Sequence, residues 1–203
     1  MNTAREKILG RVRAALTPLK VRAAHPNYAD EIATMTGLPT ADTGELFKAR
    51  LQLVGGRAFE DADAVAAWLK AEGYTHGYCD PALWPKLQAA FGTEFTVETS
   101  FDRKRVDDYQ FGITRAVGAI AETGSIILND AATSSRLGAL APWVHIALVS
   151  RQQIFPDVIS AVTSLGNDPN IIWCTGPSKT ADIEGILIQG VHGPGVQIAL
   201  LDI

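Results

Sequence analysis

From residue 43 onward the chain alternates between segments of helical and of strand character, and this alternation narrows the folds open to it more than any other feature. Residues 43–54 carry helical spacing, and 57–60 read as a short strand. Asp61 stands as the N-cap of a helix running through Lys70, with Val65, Trp68 and Leu69 turned inward. Residues 75–79 form a strand, Pro81 opens a helix to about Phe91, and 95–98 form another strand. Strands separated by helices pair side by side in the same direction. The rhythm therefore predicts a mainly parallel sheet with helices on both faces.

The second half breaks the rhythm. Residues 116–121 and 125–129 are strand-like runs around Glu122-Thr123-Gly124, a hairpin signal that predicts an antiparallel element joining the sheet. Residues 143–150 read as an apolar strand, 155–165 as a helix and 170–174 as a strand. Residues 182–189 read as a short helix and 196–203 as a last strand. At the other end, 3–16 is a helix with Ile8, Leu9, Val12 and Leu16 on one stripe. The stretch 17–40, with Pro18, Pro26, Gly37 and Pro39, reads as a linker or extended wrap. The expected organisation is residues 1–40 as an N-terminal helix and linker, and 41–203 as one α/β domain. A chain of 203 residues, 47% hydrophobic and 20% charged, suits one such core.

Composition sets several functions aside. A net charge of -4 argues against a general nucleic-acid binder. No apolar run reaches the roughly 20 residues a membrane helix needs, and the N-terminal helix is too interrupted by charge for a signal peptide. Cys79 and Cys174 are far apart and form no CxxC, so the chain supplies no iron–sulfur or zinc ligand set of its own, and no metal or other cofactor is identified. A reducing cytoplasm is the expected compartment.

The candidate chemistry lies in loops. Residues 171–184 read as strand, loop and helix start. Gly176 and Pro177 would let a ligand approach the backbone, Ser178 and Thr180 offer hydroxyls, Lys179 a positive charge, and the helix start its free N–H groups. Together these would hold a phosphate or carboxylate. The spacing is not that of a P-loop, and a capped helix with a solvated lysine remains the alternative. Glu122 at the hairpin tip is a candidate base or acyl acceptor if the tip faces a cleft, with Thr123, Gly124 and Ser125 as anion contacts. Arg136 is a candidate carboxylate clamp or a surface ion pair. His192, inside Gly190-Val191-His192-Gly193-Pro194-Gly195, is a candidate acid–base group or a turn residue, on a side of the sheet the sequence leaves open. His145, within an apolar strand, reads as a core histidine. Convergence of Glu122, Arg136, Ser178, Lys179 and His192 on one cleft is the expectation that would separate chemistry from solvation.

Taken in order, these motifs resemble a known family. Gly112-Ile113-Thr114, Ala119 to Ser125, Arg136-Leu137, Pro142 to Ala147, Gly176 to Glu184 and Gly190 to Pro194 together are similar to the lactate-utilization (LUD) domain family, in particular its C-type members. The resemblance covers about residues 105–203. It implies a fold like the NagB/RpiA/CoA-transferase group, with a Rossmann-like sheet. It also implies a role in oxidising L-lactate to pyruvate beside an iron–sulfur protein and a cysteine-rich protein. Val117 departs from an acidic residue common near that position. Three readings stand open. One is an accessory component that binds partners or a small anion, alone or as a homo-oligomer. Another is a CoA-transferase-like or sugar-phosphate-type enzyme using Glu122. The third is an interaction scaffold with no ligand.

Overall fold

The structure, a computed structural model, describes residues 3–18, 42–130, 133, 135–165, 170–181 and 186–201. The chain divides into two units, residues 1–37 and 38–203. In the first, helix α1 (Ala4–Leu16) begins with a capping box. The Thr3 hydroxyl accepts from the Glu6 N–H, and the Glu6 carboxylate accepts from the Thr3 N–H. Ile8, Val12 and Leu16 form an exposed stripe along it. The linker expected over 17–40 lies almost wholly outside the described residues.

The second unit runs α2 (Thr43–Leu53), β1 (Arg57–Phe59), α3 (Ala62–Ala71), β2 (His76–Cys79), α4 (Trp84–Phe91), β3 (Thr96–Glu98) and β4 (Phe111–Arg115). It continues with β5 (Gly118–Ile120), β6 (Ser125–Asn129), α5 (Arg136–Leu140), β7 (Val144–Val149), β8 (Ile154–Phe155) and α6 (Val158–Leu165). The remaining strands are β9 (Ile171–Cys174), β10 (Lys179–Ala181), β11 (Leu187–Gln189) and β12 (Val196–Leu201). Six strands in the order β1-β12-β7-β4-β2-β3 form a sheet in which every pairing is parallel.

Alternation along these strands sorts side chains into two layers. Phe111, Ile113, Val144, Ile146, Ile198 and Leu200 face α3 and α4, which contribute Val65, Leu69, Leu87 and Phe91. Asp61 caps α3 by accepting from the Asp63 N–H at 3.1 Å. Phe91 packs on Phe95 and Phe111 at centroid distances of 5.1 and 6.0 Å. Each fully buried side chain of this size contributes about 1.5–3 kcal/mol. On the other face Ala147, Val149, Ala199 and Leu201 pack with Phe47 and Leu51 of α2, and with Ala119, Ile126 and Leu128 of a second sheet. The far face of that second sheet, through Ile120 and Ile127, receives Ala161 of α6.

Several expectations are corrected. The 118–129 hairpin does not join the parallel sheet. It belongs to a separate four-stranded sheet, β8-β5-β6-β9, stacked on it, because both faces of the hairpin are apolar and each needs a cover. Where the second half of a helix over 182–189 was expected, Leu187–Gln189 pairs antiparallel with Lys179–Ala181; residues 182–185 lie outside the described residues. Pro81 sits in a turn, and the helix starts three residues later with Pro85 in its first turn. The helix after β7 begins at Val158, after a short strand that joins the second sheet. Strand β4 and helix α5 were not expected at all. They need each other: a Cβ on Gly112 would lie 1.8 Å from the Gly138 carbonyl oxygen, so the helix rests directly on strand backbone.

Candidate functional site

Read from the other edge, the parallel sheet runs β3-β2-β4-β7-β12-β1, and its first five strands follow the doubly wound order in which the chain winds outward from one central strand and then returns to its other side. The reversal falls between β2 and β4. In such sheets, ligands bind beyond the carboxyl ends of the strands at that point. A crevice of about 460 Å³ opens there, bounded by Leu83, Lys86, Arg115, Leu148, Ser150 and Gln153. Asp80 directly follows β2 beside it. Its Oδ1 accepts from the Ala82 N–H at 2.8 Å, and its carbonyl accepts from Leu83 and Trp84 at 2.9 and 3.1 Å. The tight β2–α4 turn is thereby tied to one buried carboxylate. The other oxygen, Oδ2, lies 3.4 Å from Nη2 of Arg115, whose side chain remains 45% exposed. None of these residues stood among the sequence candidates. The available signal was Asp80-Pro81 at a strand end; Arg115 gave none, because its strand had not been recognised.

The sequence-derived candidates separate into groups. Thr123, Ser125 and Thr175 form a chain of hydroxyls, each 2.7 Å from the next, at one end of the second sheet. Gly124 and Gly176, both at positive φ, press against backbone of α2: a Cβ would meet the Leu51 nitrogen or the Val54 carbonyl oxygen at 2.4 Å. Pro177 is buried nearby. Lys179 donates to the Val54 carbonyl at 3.3 Å, a cation at the negative end of a helix. Ser178 donates its N–H to the Pro194 carbonyl at 2.9 Å and accepts from the Gly190 N–H at 2.9 Å, so the His192 loop is brought to the Ser178 loop. His192 itself is exposed, and Thr180 pairs with Ile188. The helix start expected to offer N–H groups to an anion, at 182–185, lies outside the described residues; the helix end beside Lys179 is the carboxyl end of α2.

Glu122 leaves this group. Its Oε2 accepts from the Val158 N–H at 3.1 Å and closes the start of α6. Arg136 lies elsewhere again. It pairs with Asp130 beside a crevice of about 540 Å³ lined also by Arg103, Thr133 and Ser135. Asp130 directly follows β6, and Ser125 begins it; five strand residues span roughly 17 Å. The structure thus brings Thr123, Gly124, Ser125, Gly176, Pro177, Ser178 and Lys179 together with the His192 loop, and does not bring Arg136 to them.

Two further polar groups are structural. His145 is wholly buried between the Thr114 hydroxyl, 2.9 Å from Nε2, and the Gln197 amide, 3.0 Å from Nδ1; burial lowers its pKa to about 4. His76 pairs with Glu98 at 2.9 Å, and this bond, with those from Tyr109 and Arg105, holds the Glu98 carboxyl below its usual range. Burial pushes the thiols the other way, Cys79 to about 12 and Cys174 to about 11. Among the described residues no three His, Cys, Asp or Glu side chains gather as a metal site, and no helix is long and apolar enough to cross a membrane.

The sequence model of the LUD domain matches residues 41–201. The chain belongs to the LUD domain family. The match takes in the β1–β3 half that had resembled the family only in general pattern. Among curated relatives, lactate utilization protein C of Deinococcus radiodurans is 38% identical over 139 residues, covering 66% of each chain. The protein of that name from Macrococcus caseolyticus is 27% identical over 82% of this LUD chain and 80% of its own. The Bacillus subtilis protein of that name is 33% identical over 45% of this chain, and the alignment spans only 41% of the relative. A crystal structure of a DUF162 family protein from Deinococcus radiodurans shares the fold, with a TM-score of 0.56 over 80% of this LUD chain and 98% of that one, at 24% identity.

Proposed function

We propose that this LUD domain is an accessory, ligand-binding component of a system that oxidises L-lactate to pyruvate. It works beside an iron–sulfur protein and a cysteine-rich protein, and turns over no lactate alone. The observation that carries the reading is its similarity to proteins named lactate utilization protein C from three organisms. The chain's own chemistry agrees with it. Lactate oxidation releases two electrons and two protons, and the electrons need an acceptor. Cys79 is buried and Cys174 half-buried, and burial raises both thiol pKa values, which disfavours the thiolate a cluster would need. The engagement of Glu122 in the start of α6 favours this reading over an enzyme built on that carboxylate.

The test is reconstitution. Lactate-dependent reduction of a dye is measured with the chain alone, with the two partner proteins alone, and with all three. The expected result is no turnover by the chain alone and a rate that falls when it is omitted. Turnover by the purified chain alone, or a rate indifferent to its omission, would overturn the proposal.

A further inference from the structure

The crevice at the β2–β4 reversal has three properties that suit it to a ligand. It lies where a doubly wound sheet receives its ligand. Its volume, about 460 Å³, is within the range of small-molecule pockets, about 300–1,000 Å³. Its cations also have charge to spare. Lys86 is exposed and makes no ion pair with another described residue. Arg115 reaches Asp80 through Nη2 at 3.4 Å, and its side chain, which carries five donors, is 45% exposed. In the other crevices Lys48 is neutralised by Glu45 and Glu60, both at 2.6 Å, Arg57 lies over the Trp68 ring, and Arg136 is paired with Asp130 beside an exposed Arg103.

We infer that this crevice binds a small organic anion, with its carboxylate or phosphate received by Arg115 and Lys86. Asp80 is a positioning residue. Buried and fixed by its own turn, it sets the guanidinium at the mouth, so less side-chain freedom is lost when the anion arrives. Leu83 and Leu148 provide apolar wall for the carbon body. The Ser150 hydroxyl and the Gln153 amide can bond hydroxyl or carbonyl groups on it. The inference goes beyond the proposed role in lactate oxidation and stands or falls separately from it. It also differs from the expectation that Lys179 and the 176–180 loop hold the anion.

Calorimetric titration of the whole chain with L-lactate, pyruvate, inorganic phosphate and AMP tests it, the first two probing carboxylate and the last two phosphate. At least one of the four is expected to bind, more weakly as salt rises. Lys86→Gln and Arg115→Lys are each expected to weaken that binding about ten-fold or more, the loss of one charge-assisted bond or of the planar fork. Arg115→Lys keeps a cation over Asp80, and an unchanged melting temperature shows that its fold is intact. Lys179→Ala and Arg136→Lys are expected to leave binding within about two-fold, being outside the crevice. No binding by any of the four probes, binding indifferent to both crevice variants, or equal loss in Lys179→Ala would each overturn the inference. Reduction assays with Arg115→Lys keep the two proposals apart. Loss of anion binding with the reconstituted rate retained supports the crevice and removes lactate oxidation from its purpose.

Discussion

At the scale of single residues, the buried imidazole of His145 makes the clearest statement about pH. Its pKa in the fold, about 4, lies below the ordinary 6.5 because burial disfavours the charged form. Between those values the unfolded chain binds a proton that the folded chain refuses, so acid favours unfolding. The contribution is fully present above about pH 6.5 and is lost as the pH falls, by about 3 kcal/mol when pH 4 is reached. Urea denaturation across pH 4–7 is expected to show this slope, and His145→Gln to flatten it. The comparison is cleanest above pH 5, because Glu60, Glu94 and Glu98, all held low by their cationic or hydrogen-bonding partners, begin to lose their own contributions below that. The thiols give a second residue-scale expectation. With both pKa values raised by burial, iodoacetamide at pH 7.5 is expected to leave Cys79 and Cys174 unmodified in the native protein and to label both in urea. Rapid native labelling would mean that the thiols are less enclosed than their surroundings imply.

At the scale of elements, Glu122 and Gly112 each hold one unit of structure. Glu122→Gln weakens the charge at the start of α6, and Glu122→Ala removes the acceptor altogether. The alanine variant is expected to lose about 1 kcal/mol, as for a lost helix cap, with reconstituted lactate oxidation unchanged. A large fall in rate at unchanged stability would instead return Glu122 to the chemistry. Gly112→Ala should cost much more, about 3 kcal/mol or above, because the group it would strike is the Gly138 carbonyl and not a movable side chain; a melting curve close to that of the parent would refute the contact. These two residues also show what the sequence could and could not tell. The 118–129 hairpin was readable because Gly124 marks its turn and apolar runs flank it. Strand β4 was not, because the feature that seats α5, a glycine at its second position, is also the feature that weakens a strand signal. The β10–β11 pair was misread because a short apolar run, Ile186-Leu187-Ile188, carries no period that separates helix from strand.

At the scale of the whole molecule, the architecture was legible and the site was not. Alternating caps and apolar stripes from Asp61 to Glu98 announce a parallel sheet locally, turn by turn. The crevice is assembled from the ends of β2, β4 and β7, and its two cations come from segments that only the sheet order makes neighbours. The loops that looked chemical by composition, rich in glycine, serine and threonine, also have a packing role: they let the second sheet and the 175–178 turn close on the backbone of α2.

The row Thr114–His145–Gln197 reaches across three adjacent strands of that sheet, and its presence bears on how the molecule avoids error. If β12 slid by two residues along β7, every apolar side chain would still face its proper layer, and burial alone would hardly object. The row would object: Ala199 would come to stand beside His145 in place of Gln197, so that the imidazole Nδ1 and the Gln197 amide would lose one another, at about 1–3 kcal/mol for each buried group left unpaired. These three polar side chains act as a key cut for a single alignment. The triple variant Thr114→Val, His145→Leu, Gln197→Leu is expected to yield a chain that still collapses but gives doubled or broadened amide resonances in β4, β7 and β12; one sharp set would show that the key has no lock to guard.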